Sequence, residues 1–137
     1  MTADQFHRPL RHIAADSMLP ADQANPGIER RTALSGATAG SSAIWMGQAT
    51  VHPHNNSGNH HHGESETAIY VVSGSPEFVF LDPASGEETR LRPAPGDFVY
   101  VPPFTPHREE NNDPETDAVV VLSRSTQEAI VIPTDSL

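Results

Sequence analysis

Histidine residues are concentrated in one short stretch of this chain. Five of its eight histidines lie within residues 51–66, VHPHNNSGNHHHGESE. Residues i and i+2 of a strand project from the same face, so His60 and His62 would present two imidazoles side by side. Two adjacent imidazoles form half of a typical divalent-metal site. The alternative is a solvated polar loop, and the remaining sequence has to decide between the two.

The residue types that are missing limit what such a site can contain. The chain has no cysteine, which excludes disulfides, thiolate zinc sites and a cysteine nucleophile. Any metal must therefore be held by nitrogen and oxygen ligands. The sequence also lacks a G-x-S-x-G motif, a glycine-rich phosphate loop and an H-E-x-x-H motif.

Length and charge exclude several classes of partner. The 137 residues suit one compact domain, and 8 basic against 18 acidic residues give a net charge of −10. Clustered positive charge is needed to bind nucleic acid or an anionic membrane, so we expect neither partner. No apolar run approaches the roughly 18 residues that cross a membrane. The opening MTADQFHRPLRH lacks the apolar stretch of a secretion signal, and we expect a cytoplasmic protein.

Thirteen prolines and nine glycines divide the chain into short segments. Those between the breakers are rich in β-branched and aromatic residues and predict strands at 43–51, 67–72, 77–82, 97–102, 118–124 and 129–133. This pattern predicts an all-β sandwich or small barrel, which we place at residues 28–137 as a single domain. Residues 1–27 are polar and proline-rich, and they form either a loosely ordered arm or an arm that packs on a partner subunit.

Two spaced motifs resemble those of the cupin superfamily. The first, with an H-x-H pair, a glutamate and a glycine, is matched by His60, His62, Glu66 and Gly74. The second is matched at the family spacings by Gly96, Pro102, His107 and Asn111, with Phe104 where a glycine is usual. The resemblance implies a cupin β-sandwich, also called a jelly-roll barrel, in which His60, His62 and His107 bind a metal ion.

The fourth metal ligand is ambiguous in this sequence. Seven residues separate Glu66 from Gly74 where the family has six, so Thr67 stands at the usual carboxylate position. A slip of one residue turns a strand side chain to the opposite face unless a bulge absorbs it. The fourth ligand is therefore Glu66, if the strand bulges there, or His54, which would give four neutral imidazoles. Glu109 shares the strand face of the second motif's histidine and is a further candidate.

The charge of the ligands bears on the chemistry. Three histidines with a carboxylate resemble the iron, manganese or nickel cupins that activate dioxygen. A set made only of histidines leaves a divalent ion with its full charge, as a strong Lewis acid. We favour zinc and a redox-neutral cyclase or isomerase that resembles the cupin-type polyketide cyclases. A metal-dependent dioxygenase is the second hypothesis, and a non-catalytic cupin that binds a small molecule is the third.

The expected substrate is a small, carbonyl-rich and aromatic metabolite. The sandwich interior can draw on a set of aromatic and soft side chains, namely Trp45, Met46, Tyr70, Phe78, Phe80, Phe98, Tyr100 and Phe104. Glu66, Tyr70 and Glu109 are the candidates for proton transfer. The resemblance also implies a homodimer formed by sheet-to-sheet packing.

Overall fold

The fold consists almost entirely of short strands. The structure, a computed structural model, describes residues 6–21, 25–127 and 130–137. Within these ranges there are a 3₁₀-helix at Ala15–Ser17, one four-residue helix, α1 (Gly36–Ala39), and the strands β1 (Leu19–Pro20), β2 (Ile28–Leu34), β3 (Trp45–Val51), β4 (Asn55–Asn56), β5 (His60–His61), β6 (Thr67–Ser73), β7 (Pro76–Leu81), β8 (Glu88–Leu91), β9 (Phe98–Val101), β10 (His107–Asn111), β11 (Ala118–Arg124) and β12 (Ile132–Pro133).

The strands form two antiparallel sheets. Sheet A has the order β1-β2-β3-β11-β6-β9. Sheet B has the order β12-β5-β10-β7-β8, with β4 paired to the other end of β10. These two sheets confirm the predicted all-β sandwich in one domain.

The hydrophobic core lies between the inner faces of the two sheets. Side chains alternate along β3 and β11, where every second residue is buried from the first position to the seventh. This alternation follows from the two-residue period of a strand. The main cluster of buried side chains comprises Trp45, Ala49, Ile69, Val71, Phe78, Val101, Val120 and Leu122.

The sequence pattern located the apolar strands and missed the polar ones. Five of the six predicted segments correspond to β3, β6, β7, β9 and β11. The sixth, 129–133, corresponds only to the two residues of β12, and residue 129 lies outside the described residues. Neither β2 (IERRTAL) nor β10 (HREEN) was among the strands predicted from composition, because charged residues occupy much of both; β10 was expected only from the second motif.

Strand β10 carries the second-motif histidine and is held in place from both of its faces. On the outer face, Glu110 accepts hydrogen bonds from Arg90 and Arg108. On the inner face, the fully buried Asn111 donates from Nδ2 to the carbonyl oxygens of Val51 and Thr116, each at 2.8 Å. Asn111 therefore ties the end of β10 to the opposite sheet.

Part of the predicted N-terminal arm can be compared with the structure. Residues 1–5 and 22–24 lie outside the described residues. Leu19 and Pro20 pair with Thr32 and Arg31 and so add a short strand to the edge of sheet A. The division at residue 27 stays a prediction. In the described ranges, no helix is long and apolar enough to cross a membrane.

Candidate metal centre

Three histidines lie together on the inner side of sheet B. His60 in β5 is directly opposite His107 in β10, and His62 follows two residues after His60. All three are buried, with 4–6% of their surface exposed. Their ring centroids are 4.5–5.0 Å apart. Each histidine offers one ring nitrogen, and these three nitrogens all lie within 4.8 Å of one another. In the described ranges, no other group of three possible metal ligands is so close.

The tautomer of each ring follows from its hydrogen bonds. Nδ1 of His60 lies 2.9 Å from the carbonyl oxygen of Gly58, and Nδ1 of His107 lies 2.9 Å from that of Thr105. Nδ1 of His62 lies 2.7 Å from the carbonyl oxygen of Ile130. A carbonyl oxygen only accepts, so each Nδ1 carries the proton and each Nε2 has a free lone pair. Histidines that bind a metal are oriented in this way.

The environment keeps the three imidazoles neutral. Burial lowers the pKa of His60 to about 3 and that of His62 to about 2, and it also lowers the pKa of His107. The positive charge of Arg124 acts in the same direction on all three. A metal ion binds the neutral imidazole, so a ligand set is ready at neutral pH without the loss of protons.

A small polar cavity adjoins the histidines. It has a volume of about 20 Å³, which is room for one water-sized group, and is lined by Arg30, Ala49, Ser57, His60, His62, Ile69, Phe78, His107, Glu109, Leu122 and Arg124. Glu109 projects inward from β10, two residues after His107, and its Oε1 has no hydrogen-bond partner. Burial raises the pKa of Glu109 to about 7.

A larger apolar pocket lies beside this cavity, between the edge strands β8 and β9 of the two sheets. Its volume is about 470 Å³. The lining residues are Phe78, Val79, Phe80, Leu81, Pro83, Leu91, Val99, Tyr100, Val101, Pro102, Phe104, Thr105, Pro106 and His107. Phe78 and His107 border both spaces, so the pocket leads to one of the three histidines.

Glu66 lies on the outside of the sandwich. The register between β6 and β11 runs without interruption from Thr67 to Tyr70, so no bulge turns Glu66 inward. Its side chain accepts a hydrogen bond of 3.1 Å from the hydroxyl of Tyr100. Thr67, which stands at the family's usual carboxylate position, is fully buried instead.

The other two site candidates also lie apart from the histidine cluster. His54 is exposed in a turn, with a φ of 59°. Tyr70 is 40% exposed on the outer face of sheet A, where its ring packs 5.0 Å from that of Phe98. Of the predicted site residues, the structure thus brings together His60, His62 and His107, with Glu109 on the same cavity.

Arg124, like Arg30, is a charged residue of this cavity that was not among the sequence candidates. It ends the segment AVVVLSR, whose alternation places it on the same face as the buried Val120 and Leu122. This periodicity was the available signal, but a terminal arginine reads as a surface residue by type. The guanidinium is 4% exposed and lies 4.7 Å from the centre of the Trp45 ring.

The aromatic and soft candidates divide between the interior and the surface. Trp45 and Phe78 are buried in the core, and Phe80 is partly buried and lines the apolar pocket. The remaining aromatic candidates are 40–77% exposed. Tyr70 in β6 and Phe98 and Tyr100 in β9 point away from the core, and Phe104 lies in the loop between β9 and β10.

Two antiparallel sheets around three buried histidines define a β-sandwich of the cupin type with a candidate metal centre. Residues 47–123, more than half of the chain, match the sequence profile of the cupin domain family. The chain belongs to this family. No curated protein sequence matches it significantly.

Solved structures with a similar fold include several enzymes. An oxalate oxidase in complex with glycolate has a TM-score of 0.70 and 18% identity, over 82% of this chain and 58% of that one. The oxalate decarboxylase of Bacillus subtilis, studied for its Mn(II) centres, has a TM-score of 0.71 and 20% identity, over 84% and 29%. Peruvianin-I, described as a cysteine peptidase from Thevetia peruviana latex, has a TM-score of 0.73 and 12% identity, over 90% of this chain and 77% of that one.

These likenesses establish the fold and not the activity. The chain spans 58% of the oxalate oxidase chain and 29% of the decarboxylase chain. One similar structure is described as a cysteine peptidase, whereas this chain contains no cysteine. The function therefore has to be argued from the site.

Proposed function

We propose that this protein is a metal-dependent cupin enzyme that holds one divalent ion with Nε2 of His60, His62 and His107. The observation that carries the proposal is the set of three Nδ1 hydrogen bonds to backbone carbonyls. They fix the tautomer in which all three Nε2 atoms are available to a metal, and they do so inside a buried cluster. When bound, the ion would supply Lewis-acid polarisation of a substrate oxygen.

Zinc is the metal that we propose. The cluster contains no carboxylate or sulfur ligand, and three histidines are a known catalytic zinc ligand set. Iron, manganese and nickel also accept imidazole ligands. The B. subtilis oxalate decarboxylase, which has a similar fold, contains Mn(II) centres. The proposal of zinc rests on the exposed position of Glu66, which leaves no negative charge within the cluster itself.

We propose a redox-neutral reaction, an enolisation of the cyclase or isomerase type, with Glu109 as the residue that moves the proton. Its carboxyl group borders the same cavity as the three histidines. Burial brings its pKa to about 7, close to the value at which a general base works best in a neutral solution. Glu66 and Tyr70 lie outside this cavity and have no role in the proposal.

A metal-dependent dioxygenase is the second candidate, and the similarity to the fold of an oxalate oxidase favours it. The two reactions differ in their need for oxygen. Consumption of dioxygen during turnover of a candidate substrate would support the dioxygenase, and turnover under nitrogen would support the cyclase or isomerase. A non-catalytic cupin would bind the same compounds without turning them over.

Elemental analysis of the purified protein tests the metal proposal. We expect one equivalent of metal per chain in the wild type and at least a tenfold loss in His60→Ala, because removal of one of three ligands leaves the ion weakly held. His54→Ala and Glu66→Ala are matched controls that should keep the wild-type content. A metal content that falls in Glu66→Ala or His54→Ala, but not in His60→Ala, would overturn this ligand set.

A further inference from the structure

Arg124 is a buried cation on the wall of the small polar cavity. It is 4% exposed, and its Nε is among the buried polar atoms that have no hydrogen-bond partner. In the strand register it lies between Trp45 and Thr67, and the Trp45 ring covers one face of the guanidinium. The hydroxyl oxygen of Thr67 is also without a partner. Burying a charge without hydrogen bonds is costly, so a ligand that supplies them would be stabilised.

The one carboxylate in the cavity does not neutralise this charge. Glu109 forms no ion pair with Arg124, and its Oε1 has no partner either. Burial and the nearby charge of Arg30 lower the pKa of Arg124 only to about 10, so the guanidinium is charged at neutral pH. A divalent ion on the three histidines would add two more positive charges to the same small space. The occupied site would therefore attract an anion.

The shape of the two spaces indicates which kind of anion fits. The inner cavity, about 20 Å³, has room for one water-sized group, so only the end of a compact head group enters it. The outer pocket, about 470 Å³, is apolar and large enough for a drug-sized body. Phe78 and His107 border both, so a ligand with its body outside would direct its head towards the inner cavity.

We propose that Arg124 recognises the carboxylate of an apolar monocarboxylic acid whose body occupies the outer pocket. A guanidinium pairs with a carboxylate through two parallel hydrogen bonds, and the free Nε is one of the donors of that fork. This inference rests on the proposed function, because it names the substrate class of the same site. It makes Arg124 a determinant of binding specificity and gives it no part in holding the metal.

Calorimetric titration with benzoate and with its neutral isostere benzamide tests the inference. Zinc-loaded wild-type protein should bind benzoate at least about tenfold more tightly than benzamide, since a charged hydrogen-bonded pair in a buried site discriminates by that factor or more. Arg124→Gln should reduce this preference several-fold while the zinc content is unchanged, and the preference that remains is due to the charge of the metal. Arg92→Gln, which alters an arginine that is 72% exposed, is the matched control and should keep the preference.

Two results would overturn the inference. One is equal affinity of the wild type for benzoate and benzamide. The other is a benzoate preference that is unchanged in Arg124→Gln, because the metal alone would then account for it. If Arg124→Gln does not fold, Arg124→Lys replaces it: lysine keeps the charge without the fork, so benzoate affinity should fall several-fold, and unchanged affinity would contradict the proposal.

The outcome for the metal can be separated from the outcome for Arg124. If the wild type binds no metal, the proposed function fails. The same titration of the metal-free protein then decides the inference on its own. A benzoate preference that depends on Arg124 would support it, and no preference would overturn it.

Discussion

At the scale of single residues, the candidate site depends on three backbone carbonyls as much as on three histidines. Two of the carbonyls are local, at Gly58 and Thr105, each two residues before the histidine that donates to it. The third, at Ile130, is 68 residues from His62 in the sequence. Residue types and spacing predicted which histidines would meet. They could not predict their tautomers, because these follow from loop conformations that no motif specifies.

The lowered pKa values of the histidines predict how the stability of the metal-free protein depends on pH. The unfolded chain takes up protons on its histidines below pH 6.5, whereas buried His60 and His62 resist protonation down to about pH 3 and 2. Stability should therefore fall as the pH is lowered from about 6.5 to 4.5, by up to about 1.4 kcal/mol per pH unit for each histidine.

Glu109 opposes this trend but does not reverse it. Its pKa is raised from 4.5 to about 7, so it contributes stability that is present below pH 4.5 and is lost as the pH rises through 7. In the pH dependence of the free energy of unfolding, one such carboxyl group offsets the effect of about one of the three histidines. Urea denaturation of metal-free protein between pH 7 and 4.5 measures the net slope, which should be smaller in His62→Gln. A stability that is constant or rises towards pH 4.5 would contradict the burial of neutral imidazoles.

At the scale of elements, strand alternation explains both the correct and the missed parts of the site. The count of residues after Glu66 places Thr67 at the family's ligand position, and Thr67 is buried in the structure, because the register of β6 with β11 is continuous from Thr67 to Val71 and shifts only beyond it. The same alternation places Glu109 and Arg124 inside, although charged residues usually lie on the surface. A polar strand that lines a cavity cannot be distinguished from an exposed loop by hydrophobicity alone, which is why only the second motif, and not composition, indicated β10.

The first-motif glycine, Gly74, ends β6 and should be sensitive to substitution. Its φ is 81°, and an added Cβ would lie 2.3 Å from the carbonyl oxygen of Asp117 and 2.7 Å from Cα of Ala118. Gly74→Ala should cost roughly 1–2 kcal/mol for the left-handed backbone and about 1–3 kcal/mol more for the close contact. The free energy of unfolding measures this.

Gly86 is the matched control for this substitution. Its φ of 71° is similar, but an added Cβ would meet no atom within 4 Å. Gly86→Ala should therefore show only the backbone cost of roughly 1–2 kcal/mol. Equal losses in the two variants would show that the contact with residues 117 and 118 is not limiting.

At the scale of the whole molecule, the exposed aromatic residues Tyr70 and Phe98 lie outside the apolar pocket and indicate a surface for association. Tyr70 and Phe98 are cross-strand partners on β6 and β9, their rings pack together, and Phe98 is 77% exposed. Tyr100, on the same strand as Phe98, is 59% exposed. A group of exposed aromatic side chains is typical of an interaction surface. The homodimer inferred from the family resemblance could use this face of sheet A.

Substitution of Phe98 tests this use of the surface. We expect the wild type to sediment as a dimer and Phe98→Ser to shift it towards the monomer by at least tenfold in the dissociation constant, since exposed aromatic anchors dominate interface energies. Leu91→Ser, at a 41% exposed position on sheet B, is the control and should remain dimeric. A monomeric wild type, or a dimer unaffected by Phe98→Ser, would contradict the proposal.

We propose that the imidazoles of His60, His62 and His107 bind the metal, and that the other candidate ligands, His54 and Glu66, do not. X-ray absorption spectroscopy of the zinc-loaded protein counts imidazole ligands directly. We expect three histidine nitrogens at about 2.0–2.1 Å, with the remaining ligands being light atoms from solvent. The spectrum of Glu66→Ala should be unchanged. Four imidazoles in the wild type that fall to three in His54→Ala, or a change of coordination in Glu66→Ala, would contradict this proposal.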